Sequence, residues 1–350
     1  LVLEKNRANL GKWLSYLLMI GIIIWGIWYV KRHAKEASRI QDLGPSQIIL
    51  LFGLATLKLV CMGAFTRITT HCFGIELSIL EWFGLSAMST MANYLTPFRG
   101  GAAVRAIYLK SRHDFPYPTF LSTLSVLYVL TFSTSSALGL LAMLGLYLGF
   151  GILQLVPTIS FLVLLCIPVV LFFLIKSLPK SVFHSRNNDR IMPGVPAFFA
   201  SLLVSTTSRV RIALKRIIEG WQILSASKTT LIRLIITSFL NALITLLMIH
   251  FSFSAFGIQL PFPQSLILSN LFMVSSMIPA TPSGLGIAEV IIVTASQSFV
   301  NDKVLSGLSA GLNRTVMIMN STFWGILLSY VLRQRNSSDT ARSKGLPRDT

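Results

Sequence analysis

The sequence is poor in charged residues, and acidic residues are the scarcest of them. Charged side chains make up 12% of the 350 residues, about half of the ~25% that soluble domains carry. Hydrophobic residues make up 53%, and the mean hydropathy is +0.70. This composition excludes an ordinary soluble globular protein. It predicts an all-α membrane protein that crosses the bilayer several times.

The chain also lacks the motifs of known catalytic sites. It has 12 Asp and Glu residues, and they are not clustered, so metal-assisted transfer to a lipid-linked sugar would lack its usual ligands. We find no HExxH, GxSxG or P-loop pattern. We therefore predict no metal and no cofactor, and we favour a protein that is not an enzyme.

Cysteine is rare as well. The three cysteines, Cys61, Cys72 and Cys166, are odd in number and have none of the spacings that metal sites need. We expect them to be apolar side chains that are buried or face lipid, since a free cysteine behaves as a small hydrophobe.

The net charge of +18 could suggest a nucleic-acid partner, but the basic residues lie at the ends of apolar runs and in loops. That distribution follows the positive-inside rule and predicts no nucleic-acid binding. Residues 176–230 carry nine Lys and Arg, and the tail 333–350 carries five. Both segments are therefore expected on the cytoplasmic side of the cytoplasmic membrane, with an even number of crossings between them. Basic residues on the two sides of the first span nearly balance, so the side of the N-terminus stays open.

Apolar runs predict about seven to nine transmembrane helices in a single integral membrane domain, 1–350. The run from 119 to 150 is longer than the ~20 residues of one crossing, and it is either one tilted helix or two pieces broken near 131–136. Long runs lie at 13–30, 47–65, 119–150, 155–175, 231–256 and 312–332, and shorter ones at 77–93, 266–278 and 287–300.

A pattern of short apolar piece, Pro/Gly break and second short piece occurs twice, at 77–110 and 264–300. Paired interrupted segments are typical of broken, re-entrant helices at the substrate site of a transporter. The sequence therefore predicts a first pseudo-repeat at 47–150 and a second at 231–332.

The segment 176–230 contains a helical pattern with one apolar and one basic face. Such a helix either lies on anionic lipid headgroups, which would make anionic lipid a partner of 209–224, or packs under the helix bundle. The apolar positions are Val210, Leu214, Ile217, Ile218, Trp221 and Leu224, and the basic ones are Arg209, Arg211, Lys215 and Arg216.

The first break contains the sequence PFRGGAAVR, with Arg99, Gly100, Gly101 and Arg105. An arginine inside a membrane needs a cavity, a partner or an anionic ligand. A helix that starts after the glycines would point its N-terminal amides into the protein and favour a phosphate. The alternative is an ordinary basic cytoplasmic loop.

The second break contains Pro282, Ser283, Gly284 and Gly286, with Glu289 just after it. An acid in the first turn of a helix is stabilised by the helix dipole. Arg314 opens the predicted last span, and Glu289 and Arg314 form a buried pair in one interpretation and never meet in the other. Lys58, Glu81 and His250 are further ionisable residues inside apolar segments, expected to be satisfied or to reach the membrane surface.

At these two breaks the sequence resembles the lysylphosphatidylglycerol synthase transmembrane-region family, also called the flippase-like domain family. The resembling residues are 93–101 with Arg105, then 278–289, then 310–314. The resemblance implies an integral membrane protein that moves a phospholipid, aminoacylated or not, or an isoprenoid-phosphate-linked lipid between leaflets. The chain ends about 18 residues after its last predicted span, so we expect it to lack the soluble aminoacyl transferase domain of some members.

The implied substrate-binding residues come from both breaks. One departure is that many members have an acid after the first glycines, where this chain has Ala102. The alternative function is a subunit or enzyme of lipid-linked glycan or cell-envelope assembly. The substrate-binding set is Asn93, Arg99, Gly100, Gly101, Arg105, Pro282, Ser283, Gly284, Gly286, Glu289 and Arg314.

Overall fold

A computed structural model describes residues 43–96, 100–151, 158–166, 208–277 and 281–343, together with the single positions 155 and 170. Every regular element in these ranges is helical, which confirms the predicted all-α membrane class. The predicted span 13–30, most of 155–175, the loop 176–207 and Arg99 lie outside the described residues.

The described helices follow one another in a repeated order of long helix, two short helices and long helix. Residues 158–166 are also helical. The helices are α1 Pro45–His71, α2 Ile79–Leu95, α3 Gly101–His113, α4 Tyr117–Phe150, α5 Ser208–Ala226, α6 Lys228–Ser254, α7 Phe262–Ser275, α8 Ile287–Ser296 and α9 Lys303–Ser343, with a 3₁₀ turn at Pro282–Gly284.

Four of these helices, α1, α4, α6 and α9, are long and apolar enough to cross a membrane. The helix α4 has 34 residues and a length of about 51 Å at ~1.5 Å per residue. It runs without interruption, so the interpretation of 119–150 as one long helix is confirmed. The hydrocarbon core of a bilayer is ~30 Å thick. The helix α4 is therefore long enough to cross it at a tilt or to extend beyond it.

The long helices α1 and α6 run antiparallel. The Lys58 ammonium donates to Thr245 Oγ1 at 2.8 Å near the middle of both helices, and Cys72 Sγ lies 3.6 Å from Thr230 Oγ1 where α1 has ended and α6 begins. We call the end of the bundle that contains loop 72–78 and residue 227 the first end. The opposite end contains residues 43–44 and loop 255–261.

The short helices α2 and α3 form hairpin 1, residues 79–113, which enters from the first end. At its base, Glu81 Oε1 accepts from the Tyr108 hydroxyl at 3.1 Å and lies 3.2 Å from His113 Nε2. The start of α2 and the end of α3 are therefore side by side. The end of α2 and the start of α3 form the tip of the hairpin.

The short helices α7 and α8 form hairpin 2, residues 262–296, which enters from the opposite end. Pro263 lies against Gly145 near the end of α4, and Ile292 packs in one cluster with Phe253 near the end of α6. The helices have 14 and 10 residues, about 21 and 15 Å, and are too short to cross. Two re-entrant units with opposite orientation are thus present, as the paired breaks predicted.

The last helix differs from the prediction at both ends. It begins at Lys303, where Asp302 Oδ1 accepts from the amides of Val304 and Leu305 at 2.9 Å and caps it. Arg314 therefore lies about three turns inside the helix and does not open it. Residues 305–311 include two Ser and two Gly, so their sequence does not by itself indicate a transmembrane helix. Residues 333–343 of the predicted tail continue the same helix.

The described part of α5 packs under the bundle. Trp221 and Leu224 are buried, and Trp221 Nε1 donates to Ser125 Oγ of α4 at 2.6 Å. Gly220 approaches Ser122 closely. Of the two interpretations of this amphipathic helix, packing under the bundle therefore applies to its C-terminal half, and contact of the basic side with anionic lipid stays a prediction.

The opposite orientation of the hairpins can be tested by cysteine labelling. In a cysteine-free background, Glu76→Cys lies at the first end and Gln259→Cys at the opposite end, and both positions are exposed. We expect a membrane-impermeant maleimide to label them from opposite sides of the membrane. Labelling of both from the same side would contradict the arrangement.

Candidate functional site

The glycines of the first break position the start of α3 against α2. The Gly101 amide donates to Asn93 Oδ1 at 2.9 Å, and the Gly100 amide donates to Thr96 Oγ1 at 3.0 Å. A Cβ on Gly101 would lie 1.8 Å from the Ser89 carbonyl oxygen. Only glycine permits this approach, which brings α3 and its next turn into contact with α2.

Arg105 lies on that next turn and is buried, with 8% of its surface exposed. Its Nη2 donates to Ser89 Oγ at 2.8 Å. Arg105 is thus a helical residue inside the bundle, and the alternative of a basic cytoplasmic loop is wrong for this residue.

Arg105 lines a cavity of about 80 Å³ between hairpin 1 and three long helices. Since a water needs ~10–15 Å³, this space holds several waters or a phosphate group. The walls come from α1, α2, α3, α4 and α6. Polar walls are formed by Ser89, Asn93, Arg105, Tyr128, Thr131, Thr237, Ser238 and Asn241, and the other walls include Cys61, Met62, Phe65, Ala102, Leu124, Leu127 and Met277.

Two polar atoms on the α6 side of the cavity lack a protein partner. Ser238 Oγ and Asn241 Oδ1 are buried and make no hydrogen bond within the described part of the chain. Buried polar atoms are nearly always satisfied by protein, water or ligand. These two residues were not among the predicted site residues. The signal was the group Thr237, Ser238 and Asn241, which places three polar residues close together in the middle of a mostly apolar span.

The second break forms a tight turn in which the amides of Gly284, Leu285 and Gly286 are already used. The Gly284 amide donates to the Thr281 carbonyl and the Leu285 amide to the Pro282 carbonyl, and the Gly286 amide donates to Glu289 Oε2 at 2.7 Å. A phosphate would have to displace these bonds. Ser283 adopts φ 51°, a left-handed conformation that is rare for a residue with a Cβ.

Glu289 and Arg314 are in contact, as one of the two interpretations of the sequence predicted. Glu289 Oε1 accepts from Arg314 Nε in an ion pair. Arg314 Nη1 also donates to the Ser283 carbonyl at 3.2 Å and to the Tyr94 hydroxyl at 3.4 Å. Tyr94 belongs to hairpin 1 and Ser283 to hairpin 2, so this one guanidinium joins the tips of both hairpins.

Lys58 is the third cation in the interior. It is buried, and its ammonium lies 5.7 Å from the centre of the Phe272 ring. The Arg314 guanidinium lies 5.0 Å from the centre of the same ring. Lys58, Arg105 and Arg314 thus share the middle of the described structure with one carboxylate, Glu289. His250 is satisfied, since its Nδ1 lies 3.0 Å from Ser265 Oγ.

The predicted site residues therefore form two clusters. Asn93, Gly100, Gly101 and Arg105 shape or line the cavity, whereas Pro282, Ser283, Gly284, Gly286, Glu289 and Arg314 form the turn and ion pair of hairpin 2. Tyr94 follows Asn93 in the chain and connects the clusters through its bond with Arg314. Arg99 lies outside the described residues.

Inverted re-entrant hairpins that meet beside a buried basic cavity define a helical multi-pass membrane protein with an internal polar site. The chain belongs to the family described as the lysylphosphatidylglycerol synthase TM region, whose family model matches residues 14–325. No curated protein matches the chain with significance.

Proposed function

We propose that this protein moves an anionic phospholipid or an isoprenoid-phosphate-linked lipid between the leaflets of the cytoplasmic membrane. The observation that carries the proposal is the buried Arg105, which lines a cavity with hydroxyl and amide walls between the hairpin 1 helices and α6. A guanidinium binds phosphate through two parallel hydrogen bonds, which an ammonium cannot reproduce.

The charge balance supports an anionic ligand. Three buried cations and one carboxylate leave an excess of positive charge in the middle of the described bundle. Such an excess is costly in a low-dielectric interior unless an anion joins it. The start of α3 adds to the attraction for an anion. The first intrahelical bond of α3 is donated by the Val104 amide. The Ala102 and Ala103 amides come before it, so they have no intrahelical acceptor and lie at the positive end of the helix dipole.

The architecture supports movement across the membrane. One hairpin enters from each end and their tips meet at Arg314, so a relative shift of the hairpins would open the interior to one side at a time. The Glu289–Arg314 pair is the contact that such a shift must change, and we assign it the role of a gate.

The first end is proposed as the cytoplasmic end. The basic segment 176–230 leads into α6 there, and α9 runs towards the same end, since Leu332 of α9 lies beside Gly84 of α2. Two crossings, α6 and α9, separate the basic loop from the C-terminus. This even number agrees with the positive-inside rule applied to both segments.

Substitution of Arg105 in reconstituted liposomes tests the proposal. We expect Arg105→Ala to slow the movement of a fluorescent anionic phospholipid by about 10- to 100-fold, since charge-assisted hydrogen bonds contribute ~1.5–3 kcal/mol. Arg105→Lys keeps the charge but loses bidentate binding, and should be intermediate. Arg67→Ala removes an exposed arginine of α1 and is the matched control.

The same variants distinguish the alternative function. Lipid movement by Arg105→Ala at the wild-type rate, in protein that elutes and melts as wild type does, would contradict the proposal. A co-purifying glycosyltransferase or a sugar-nucleotide-dependent activity would instead indicate a subunit of lipid-linked glycan assembly. Native mass spectrometry with lipid extraction, on wild type beside Arg105→Ala, identifies any lipid that binds through this arginine.

A further inference from the structure

We infer that the lipid bound at this cavity has a headgroup with hydroxyl groups and no positive charge, and that Ser238 and Asn241 of α6 recognise those hydroxyls. The inference rests on the proposed function and names the substrate class of the same site. Phosphoglycerol- and phospho-sugar-type headgroups belong to this class, and aminoacylated, ethanolamine and choline headgroups do not.

The cavity has no counter-charge for a cationic headgroup among the described residues that line it. Among the described residues that line it there is no Asp or Glu, and Arg105 is the residue that carries a charge. A lysyl, ethanolamine or choline group bound here would place a second positive charge beside the guanidinium in a low-dielectric space, where repulsion is strong. Glu289, the carboxylate at the hairpin tips, is engaged by Arg314.

The unpartnered atoms indicate what the ligand must supply besides phosphate. Asn241 Oδ1 is an acceptor without a partner in the described structure, and Ser238 Oγ is likewise unbonded. A phosphate diester has acceptors for Arg105 but no donor for Asn241. A hydroxyl on the headgroup provides the missing donor and can also accept from Ser238.

The groups that would bind the phosphate and the groups that would bind the hydroxyls lie on different walls of the cavity. Arg105 and Ser89 are on the hairpin 1 side, and Ser238 and Asn241 are three residues apart and share one face of α6. A ligand with its phosphate on one side and its hydroxyls on the other would satisfy both walls. A site built to hydrogen-bond a hydroxyl also discriminates strongly against ligands without it, because its polar groups are then left unpaired.

The headgroup preference of the wild-type protein is the first test. Liposomes containing the protein are given tail-labelled phosphatidylglycerol, lysylphosphatidylglycerol or phosphatidylethanolamine, each at the same trace fraction. We expect Arg105-dependent movement of phosphatidylglycerol to be at least about tenfold faster than that of the two cationic or zwitterionic lipids. This comparison needs no variant at the cavity other than Arg105→Ala.

Substitutions of Asn241 assign the preference to this wall. Asn241→Asp adds a carboxylate of the same shape, so phosphatidylglycerol movement should fall about tenfold while the ratio of lysylphosphatidylglycerol to phosphatidylglycerol rises. Asn241→Leu should slow phosphatidylglycerol without raising that ratio. Gln259→Glu makes the same amide-to-acid change in an exposed loop and should alter neither rate.

The outcomes separate the inference from the proposed function. Equal or faster movement of lysylphosphatidylglycerol by wild type, with loss of both activities in Arg105→Ala, overturns the inference and leaves lipid movement in place. An unchanged headgroup ratio in correctly folded Asn241→Asp overturns the role of Asn241. If no lipid shows movement that depends on Arg105, the proposed function itself fails, and the inference with it.

Discussion

Glu289→Gln is expected to destabilise the protein by about 3–5 kcal/mol, the range measured when one partner of a buried ion pair is removed. The substitution keeps the size of the side chain but leaves the Arg314 guanidinium, 4% exposed, without a counter-charge. The loss should appear as a large fall in the melting temperature in detergent and as loss of lipid movement. Glu76→Gln, at an acid with 87% of its side chain exposed, is the matched control.

A double variant shows whether the unpaired charge is the cause. Glu289→Gln combined with Arg314→Met removes both charges, and most of the lost stability should return, since no buried charge then lacks a partner. Transport should not return, because the hydrogen bonds by which the Arg314 guanidinium connects the two hairpin tips are missing. A melting temperature of Glu289→Gln equal to that of wild type would show that the pair contributes little to the fold.

Gly101→Ala is expected to separate α3 from α2 and to abolish lipid movement. The new methyl would lie 1.8 Å from the Ser89 carbonyl oxygen and 2.7 Å from Asn93 Oδ1, and the first of these is a backbone atom that no rotamer change can move. Overpacking of this kind costs ~1–3 kcal/mol or more. The displaced α3 would also carry Arg105 away from Ser89.

The control for Gly101 is a glycine in open surroundings. Gly53→Ala in α1 adds a methyl with nothing within 4 Å, and it should stabilise the helix slightly, by up to ~1 kcal/mol. The two variants are compared by thermal unfolding and by transport. Equal melting temperatures for both would contradict the close approach of α3 and α2.

The sequence was sufficient to locate both breaks between apolar segments. Proline and glycine interrupt apolar segments for local reasons, so the turns before Gly101 and Ile287 could be predicted from spacing. The class of protein followed from the low charge and high hydropathy, and the two broken units followed from the paired Pro/Gly breaks. An interior position for Arg105 was one of two interpretations, and the cost of charge in a membrane favoured it. Contact of Glu289 with Arg314 was one of two interpretations, and it is the one that the structure has.

The rest depends on contacts between residues distant in the chain. Ser238 and Asn241 line the same cavity as Arg105 because of the way α6 packs against α1 and hairpin 1, and no local pattern encodes that packing. The amides of Gly284 and Gly286 are occupied by the turn itself and by Glu289, which spacing alone did not indicate. The early start of α9 was missed because small polar residues can be helical and buried, as Ser306 and Ser309 are.

The path of α9 determines which parts of the protein can move together. Most of this helix lies in the predicted second pseudo-repeat, yet it packs along hairpin 1, where Leu328 and Leu332 lie against Gly84 and Gly325 lies against Met91. A glycine contact of this kind leaves little freedom for sliding. In the proposed movement, the boundary between the moving bodies would therefore cut through the predicted second pseudo-repeat, with α9 on the side of hairpin 1, so the moving units would differ from the predicted repeats.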